Sequence, residues 1–96
     1  MTIEKIINGE EAVLKLEGWL DTQTAPELGG ELDKLGENVK ALTLDMTALE
    51  YVSSAGLRQI VAAHKKMSGN LTLTNVAAEI MDVFKMTGFD KRLNIK

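Results

Sequence analysis

The sequence contains no cysteine, one proline and only four aromatic residues among its 96 residues. The lack of cysteine excludes disulfide bonds and thiolate chemistry, and it is compatible with an intracellular location. Basic residues are also few, since 11 lysines and arginines stand against 14 aspartates and glutamates, for a net charge of −3. Binding to nucleic acid requires a basic surface. The composition therefore favours a protein or small-molecule partner.

Long apolar runs are absent as well. The longest uninterrupted apolar stretch covers residues 60–63, whereas a helix that spans a bilayer needs about 20 apolar residues. The N-terminal segment has no apolar region of signal-peptide length. We therefore expect a cytoplasmic protein that makes no membrane contact. With 45% hydrophobic residues, the chain has enough apolar material for a single domain over residues 1–96.

Two predicted strands begin the chain, on either side of Asn8-Gly9, a dipeptide that favours tight hairpin turns. In the second strand an alternating apolar set predicts one buried face: Ala12, Leu14 and Leu16. Later strands are predicted in VKALTLDM, which ends at Met46, in LTLTNV and in KRLNIK.

Helices are predicted between these later strands. The first begins after Thr24 as N-cap, with Glu27 at the position that completes a capping box and Pro26 in the first turn. Three leucines at helical spacing predict its buried stripe: Leu28, Leu32 and Leu35.

The second predicted helix has Ser54 as N-cap and ends near Gly69 as its C′ residue. Its predicted inward stripe consists of Leu57, Ile60, Val61, His64 and Met67. A third helix is predicted in AAEIMDVFKMTG, with Gly88 as its stop. Four of its residues lie at helical spacing: Ile80, Val83, Phe84 and Thr87.

The predicted element order is β-β-α-β-α-β-α-β. Strands that alternate with helices pair in parallel through right-handed crossovers, and the initial hairpin adds one antiparallel strand. The sequence therefore predicts the α/β class: a mixed, mostly parallel sheet packed with helices.

The segment SSAGL, residues 53–57, raises the question of function. A serine at a helix start satisfies a backbone N–H, but a phosphate is also favoured there, at the positive end of the helix dipole. Ser54 is therefore either a cap or a displayed hydroxyl, and the two interpretations are compatible. Gly56 would leave open space beside Ser54 for a partner, since alanine would suit a helix better by about 1 kcal/mol.

Three segments, EGWLDTQTAPEL, LDMTALEYVSSAGLRQIVAAHKKM and LTLTNVAAEIMDVFKMTGFDK, together resemble a STAS domain of the anti-sigma factor antagonist type. The resemblance covers nearly the whole chain and implies the mixed STAS sheet. It also implies partner switching: such proteins bind an anti-sigma factor that is a serine kinase of the GHKL ATPase type, and this binding frees the sigma factor. Phosphorylation by the kinase ends the interaction, and a metal-dependent serine phosphatase restores it.

Carried over by position, the family motif D-S-[ST]-G-L places the phosphorylated residue at Ser54. Ser53 replaces the family aspartate and is a second, less favoured phosphorylation site, and Ala55 replaces the second hydroxyl. The resemblance implies that two neighbouring segments meet the partner: Asp21, Thr22, Gln23 and Thr24 in one, and Ser53, Ala55, Gly56 and Arg58 in the other. Asp21 and Thr24 are alternatively residues that only end a strand and cap a helix.

Other functions remain open. An enzyme would need Ser54 and His64 as a nucleophile–base pair, but ten residues of one helix separate them by about 15 Å, far beyond proton-transfer distance. No metal cluster or phosphate-binding loop is visible, so we expect no enzyme, metal or cofactor. A ligand-sensing STAS module and a partner switch with a non-sigma output, such as secretion control, are the alternatives. A chain that starts at Met1 favours a free-standing antagonist, and we expect a monomer.

Overall fold

The computed structural model describes residues 1–96, with five strands, three α-helices and one 3₁₀ turn. In chain order these elements are β1 (Thr2–Asn8), β2 (Glu11–Leu20), α1 (Ala25–Lys34), β3 (Ala41–Val52), α2 (Ser54–Lys66), β4 (Leu71–Thr74), α3 (Ala78–Thr87), the 3₁₀ turn (Phe89–Lys91) and β5 (Asn94–Ile95). None of the helices has the length and apolar character that crossing a bilayer requires.

The five strands form one sheet in sequence order, β1-β2-β3-β4-β5. β1 is antiparallel to β2, and the other neighbouring strands are parallel. The predicted α/β class, element order and antiparallel first strand are therefore confirmed. The hairpin loop is Gly9-Glu10, because Asn8 already pairs with Glu11 and Gly9 has a φ of +65°. The predicted turn at Asn8-Gly9 was wrong by one residue.

The core lies on one face of the sheet. Ala12 and Leu14 of β2 pair with Leu42 and Leu44 of β3, and all four are at most 2% exposed. Other strand residues and the three helices complete a continuous cluster of 22 buried residues. Side chains of the opposite face, such as Lys15, are exposed or half-buried. The predicted alternation in β2 is thus confirmed. Its buried side chains lie on the face of the sheet that packs against the helices.

β3 runs to Val52, six residues beyond the predicted end. From Lys15 to Trp19, β2 advances four residues while the paired part of β3 advances six, from Asp45 to Tyr51. These irregularities are β-bulges, which place extra residues in one strand. The buried residues of this segment consequently lie three apart: Met46, Leu49 and Val52. Strict alternation therefore predicts an end of β3 that is too early.

The buried stripe of α1 is as predicted, with Leu28, Leu32 and the C-cap residue Leu35 all buried. In α2 the predicted stripe is only partly right: Val61 and His64 are half-buried. The buried residues of α2 and its C-cap are Gly56, Leu57, Ile60, Ala63 and Met67. Ala63 therefore lies on the buried face of α2 in addition to the predicted residues.

The end of α2 also differs from the prediction by one residue. Met67 is the C-cap, so Ser68 is the C′ residue, and it adopts the left-handed conformation with a φ of +54°. Ser68 N donates to Lys65 O and Gly69 N donates to His64 O, the bond pair of a Schellman motif. Gly69 is therefore C″.

α3 buries Ile80 and Phe84 and ends at Gly88, whose φ is +79°. The predicted helix stop is confirmed. Val83 is half-buried, whereas Thr87 is exposed. The hydroxyl of Thr87 lies within hydrogen-bond distance of the Val83 and Phe84 carbonyls in the preceding turn.

Candidate functional site

Two strand-to-helix connections lie side by side at one edge of the sheet. The first joins β2 to α1 through residues 21–24, and the second joins β3 to α2 through Ser53. Leu20 pairs with Val52, and Ser53 N donates to Leu20 O at 2.9 Å. The two segments that the resemblance selected therefore share one edge, although about 30 residues separate them in sequence.

The first connection is held by the Asp21 carboxylate. Its Oδ1 accepts from Gln23 N at 2.9 Å and from Thr24 N at 3.0 Å. The hydroxyl of Thr24 accepts from Asp21 N at 2.8 Å and donates to Trp19 O at 2.7 Å. Thr24 is the N-cap by position but makes no side-chain capping bond to α1. The predicted capping box is wrong, since this hydroxyl is already used within the connection.

These bonds also affect ionisation. Donation from the Thr24 backbone N–H, and more weakly from the Gln23 N–H, holds the pKa of Asp21 below its usual value. Bonds that favour a charged carboxylate lower its pKa. Asp21 is therefore ionised at neutral pH and stabilises the connection in that form.

In the second connection Ser53, not Ser54, is the N-cap. Its backbone is extended, and its hydroxyl accepts from Gly56 N at 3.3 Å. The assignment of Ser54 as N-cap was wrong by one residue. Ser53 stands where the family motif has aspartate, and both residue types accept from N–H groups at an N-cap. The substitution therefore retains the cap and removes a negative charge.

Ser54 is the first residue of α2, and it is exposed. Its hydroxyl makes no hydrogen bond within the protein, because the capping role belongs to Ser53. The hydroxyl is thus available to solvent at the positive end of the helix dipole.

Gly56 is buried against β2. A Cβ at this position would lie 2.6 Å from Leu20 Cγ and 2.7 Å from Leu20 O. The expectation that Gly56 leaves open space for a partner is therefore wrong, because its missing side chain lets α2 contact β2. This close packing also explains a glycine inside the first turn of a helix.

The remaining predicted contact residues differ in exposure. Thr22, Gln23 and Arg58 are exposed, whereas Asp21, Thr24, Ser53 and Ala55 are half-buried. Arg58 lies four residues after Ser54, on the same face of α2, and it forms no ion pair in the structure. The structure brings these residues to one surface, and their contact with a partner stays a prediction.

Trp19 and Tyr51 are exposed aromatic residues that were not predicted as part of this surface. They are the only tryptophan and tyrosine of the chain, yet they are 58% and 46% exposed. They pair across β2 and β3, with ring centroids 5.5 Å apart and planes inclined by 48°. Trp19 lies at a position of β2 that strict alternation predicts to point away from the core, so its exposure was predictable from the sequence. Tyr51 lies beyond the bulges, where alternation fails.

A second carboxylate supports the bulged part of β3. Asp45 Oδ1 accepts from the Thr47 hydroxyl at 2.6 Å and from Thr47 N at 3.0 Å. The Asn75 amide donates to the same oxygen at 3.4 Å. These bonds, led by the Thr47 hydroxyl, hold the pKa of Asp45 below its usual value. Asp45 therefore has a local structural role that resembles that of Asp21.

Residues 3–95 match the protein family described as "Mlab, STAS domain". Because the match covers nearly all of the chain, the protein belongs to the STAS domain family. This membership confirms the resemblance seen in the sequence.

Two curated relatives are similar in sequence. BtrV of Bordetella bronchiseptica, named as a candidate anti-sigma factor antagonist, is 31% identical over 78 residues, covering 77% of this chain and 67% of BtrV. The anti-sigma-B factor antagonist of Bacillus subtilis is 28% identical over 91 residues, covering 92% of this chain and 84% of that protein.

A solved structure agrees with the fold. The anti-sigma factor antagonist SpoIIAA in its unphosphorylated form matches with a TM-score of 0.77 and 15% identity. The match covers 99% of this chain and 87% of SpoIIAA. It confirms the predicted STAS sheet and its helices.

Proposed function

We propose that this protein is an anti-sigma factor antagonist that acts in the cytoplasm as a single STAS domain over residues 1–96. In this proposal it binds an anti-sigma factor serine kinase of the GHKL type as a monomer and frees the sigma factor. The observation that carries the proposal is the hydroxyl of Ser54, which is exposed at the start of α2 and unused by the fold. The names of the relatives support the same role.

Ser54 is the proposed site of phosphorylation. The hydroxyl of the neighbouring Ser53 accepts from Gly56 N and is half-buried, so modification there would remove the cap. A phosphate on Ser54 would instead lie at the positive end of α2 without breaking a bond. A metal-dependent serine phosphatase would return Ser54 to its unmodified form.

The proposed partner surface is the edge formed by the two connections together with Trp19 and Tyr51. Tryptophan and tyrosine are the residue types most enriched at the energetic centres of protein interfaces. Both lie one residue before the last residue of a strand that leads into a connection. Thr22 and Gln23 of the first connection and Arg58 of α2 are exposed polar residues of the same proposed surface.

Phosphorylation would switch binding through desolvation. A phosphate adds about −1.5 to −2 charges at pH 7, and the helix dipole returns only about 0.3–1 kcal/mol at an exposed site. Burying this charge in an interface costs several kcal/mol even beside a cation such as Arg58, because the desolvation penalty exceeds the Coulombic gain. A penalty of about 4 kcal/mol weakens binding about a thousandfold, which suffices for a switch without refolding.

The test is a capture experiment from lysate of the source organism in the presence of Mg²⁺-ADP. The baits are wild type, Ser54→Ala, Ser54→Asp and the uncharged matched control Ser54→Asn. We expect wild type, Ser54→Ala and Ser54→Asn to retain a GHKL-type kinase that Ser54→Asp loses. After addition of ATP, wild type should be released and carry one phosphate at residue 54, whereas Ser54→Ala should stay bound.

Two results would contradict the proposal. One is retention of the same proteins by Ser54→Asp and Ser54→Asn, and the other is a phosphate on Ser53 in place of Ser54. Retention of no kinase by any bait, together with a small molecule that copurifies with wild type, would favour the ligand-sensing alternative.

A further inference from the structure

A shallow apolar groove runs along α2, beginning at Ser54. Its apolar lining consists of Leu57, Val61 and Ala62 from α2 and Phe89 from the 3₁₀ turn, and its volume is about 480 Å³. Ser54 and Lys65 at the two ends of the groove are 11 residues apart on the helix, which is about 16 Å at 1.5 Å per residue. This length matches about three turns of a second helix.

The groove has the opposite charge to the chain as a whole. Arg58 and Lys65 are the charged residues among those that line it, and neither forms an ion pair. The guanidinium of Arg92 lies 5.5 Å from the centre of the Phe89 ring but does not line the groove. Asp90 follows Phe89 in sequence but does not line the groove. A chain with a net charge of −3 thus presents an apolar strip flanked by cations.

We propose that this groove binds an acidic amphipathic helix of a partner protein, with apolar side chains of that helix on Leu57, Val61 and Phe89 and its carboxylates against Arg58 and Lys65. This inference rests on the proposed function, since the groove begins at the proposed phosphorylation site. Helix-in-groove recognition uses apolar residues at helical spacing, and opposite charges at the rim set orientation and partner choice.

A protein helix suits the groove better than an anionic membrane surface does. Leu57 is only 6% exposed, and Val61 and Phe89 are half-buried. Membrane-bound amphipathic helices insert protruding apolar side chains below the headgroups. Recessed apolar residues instead need an occupant that reaches into the groove.

The groove gives Ser54 a second way to control binding. Residues four apart on a helix face each other, so a phosphate on Ser54 would pair with Arg58 and remove a cation from the groove. It would also place a negative charge at the end where the acidic helix begins. Phosphorylation would therefore weaken the binding of an acidic helix without changing the apolar residues that line the groove.

The test uses two synthetic helical peptides of about 14 residues, or about four turns. Both carry leucines on one face, and their flanks are glutamate in the probe and lysine in the control. Each peptide is titrated into the ¹⁵N-labelled chain while amide chemical shifts are measured. The protein variants are wild type, Arg58→Glu, Lys65→Glu and the matched control Lys66→Glu, which changes an exposed neighbour that does not line the groove.

We expect the acidic peptide to shift the amides of Leu57, Val61 and Phe89 and to bind more tightly than the lysine peptide. Arg58→Glu and Lys65→Glu should each weaken binding about tenfold, because a favourable ion pair becomes a repulsive one, and Lys66→Glu should bind like wild type. Ser54→Asp should bind the acidic peptide less tightly than Ser54→Asn. Equal binding of both peptides, shifts confined to other regions, or tighter binding of anionic phospholipid vesicles than of the peptide would overturn the groove proposal.

The two proposals fail separately. If the capture experiment shows Ser54-dependent kinase binding while the peptides show no preference, partner switching stands and the groove assignment is wrong. If the peptides discriminate but no kinase depends on Ser54, the groove stands as a binding surface and its assignment to sigma control is lost.

Discussion

The two connections at the edge of the sheet lie side by side and are built differently. In the first, Asp21 and Thr24 form four hydrogen bonds that join side chains to the backbone. In the second, Ser53 makes one such bond, at 3.3 Å, and the hydroxyl of Ser54 makes none. The side chains of Asp21 and Thr24 thus stabilise the conformation of the first connection. In the second connection Ser53 stabilises the conformation, and the hydroxyl of Ser54 has no hydrogen-bond partner within the protein.

This difference separates residues that build the site from a residue that is free to be modified. A hydroxyl that already satisfies a buried or half-buried N–H is costly to modify, since its partner loses a bond. Ser54 carries no such cost. The fold can therefore keep one geometry in both states of the proposed switch.

The largest expected effect comes from Gly56→Ala. The added methyl group would meet Leu20 O at 2.7 Å, and overpacking of this kind costs about 1–3 kcal/mol. The matched control is Gly30→Ala in α1, where a Cβ meets nothing within 4 Å and helix propensity gains about 1 kcal/mol. Relative to the wild type, urea unfolding should show a lower free energy of unfolding for Gly56→Ala and a higher one for Gly30→Ala. Equal stabilisation by both would contradict the close contact between α2 and β2.

The next effect tests the two connections directly. Asp21→Ala removes an acceptor for two backbone N–H groups, whereas Ser53→Ala removes an acceptor for one. Loss of the Ser53 cap should cost about 0.5–1 kcal/mol. The urea midpoint should fall further for Asp21→Ala than for Ser53→Ala. The reverse order would show that the second connection is the more strongly held.

A smaller effect of opposite sign is expected at Ser54. The first turn of α2 contains no acidic residue, so Ser54→Asp should stabilise the protein by about 0.3–1 kcal/mol relative to Ser54→Asn. The melting temperatures of the two variants measure this difference, which should shrink in high salt. A less stable Ser54→Asp would mean that a negative charge at this site disturbs the fold, and that loss of partner binding could not be assigned to the charge alone.

The smallest expected effect is the dependence of stability on acid. Folding lowers the pKa of Asp21 through the Thr24 and Gln23 N–H bonds. The resulting stabilisation is fully present above the unfolded pKa of about 3.9 and is lost as the pH falls through the lower folded pKa. Below a pH of about 4, the free energy of unfolding of Asp21→Asn should therefore fall less steeply than that of the wild type.

The control for this prediction is Asp33→Asn, which removes an exposed carboxylate of α1 that accepts no hydrogen bond. This variant removes a carboxylate without removing a hydrogen bond, so the comparison isolates the bonds accepted by Asp21. Identical profiles for Asp21→Asn and the wild type would show that the bonds to Asp21 are absent in solution. Asp45→Asn should likewise reduce the loss of unfolding free energy in this pH range, since the bonds from Thr47 lower the pKa of Asp45.

Much of the fold was predictable because its signals are local. Alternation in β2, the leucine stripe of α1 and the Gly88 stop each depend on residues within one element, and the structure confirms them. The Ser53 and Ser54 assignments failed by one residue, because adjacent serines have the same capping chemistry. Backbone geometry, which sequence does not display, decides between them.

The sequence by itself determined the order of strands and helices and placed a serine pair at the start of α2, since periodicity and turn chemistry act over a few residues. Only the tertiary structure decided which serine caps the helix, why residue 56 is glycine, and that Trp19 meets Tyr51. It also brought Phe89 and Arg58 to one groove. The Trp19–Tyr51 pair, the packing of Gly56 on Leu20 and the groove depend on contacts between distant segments, whereas the cap depends on the backbone geometry of residues 53–56. The two bulges of β3 set the pairing of Trp19 with Tyr51, and they change the spacing of the buried residues from two to three.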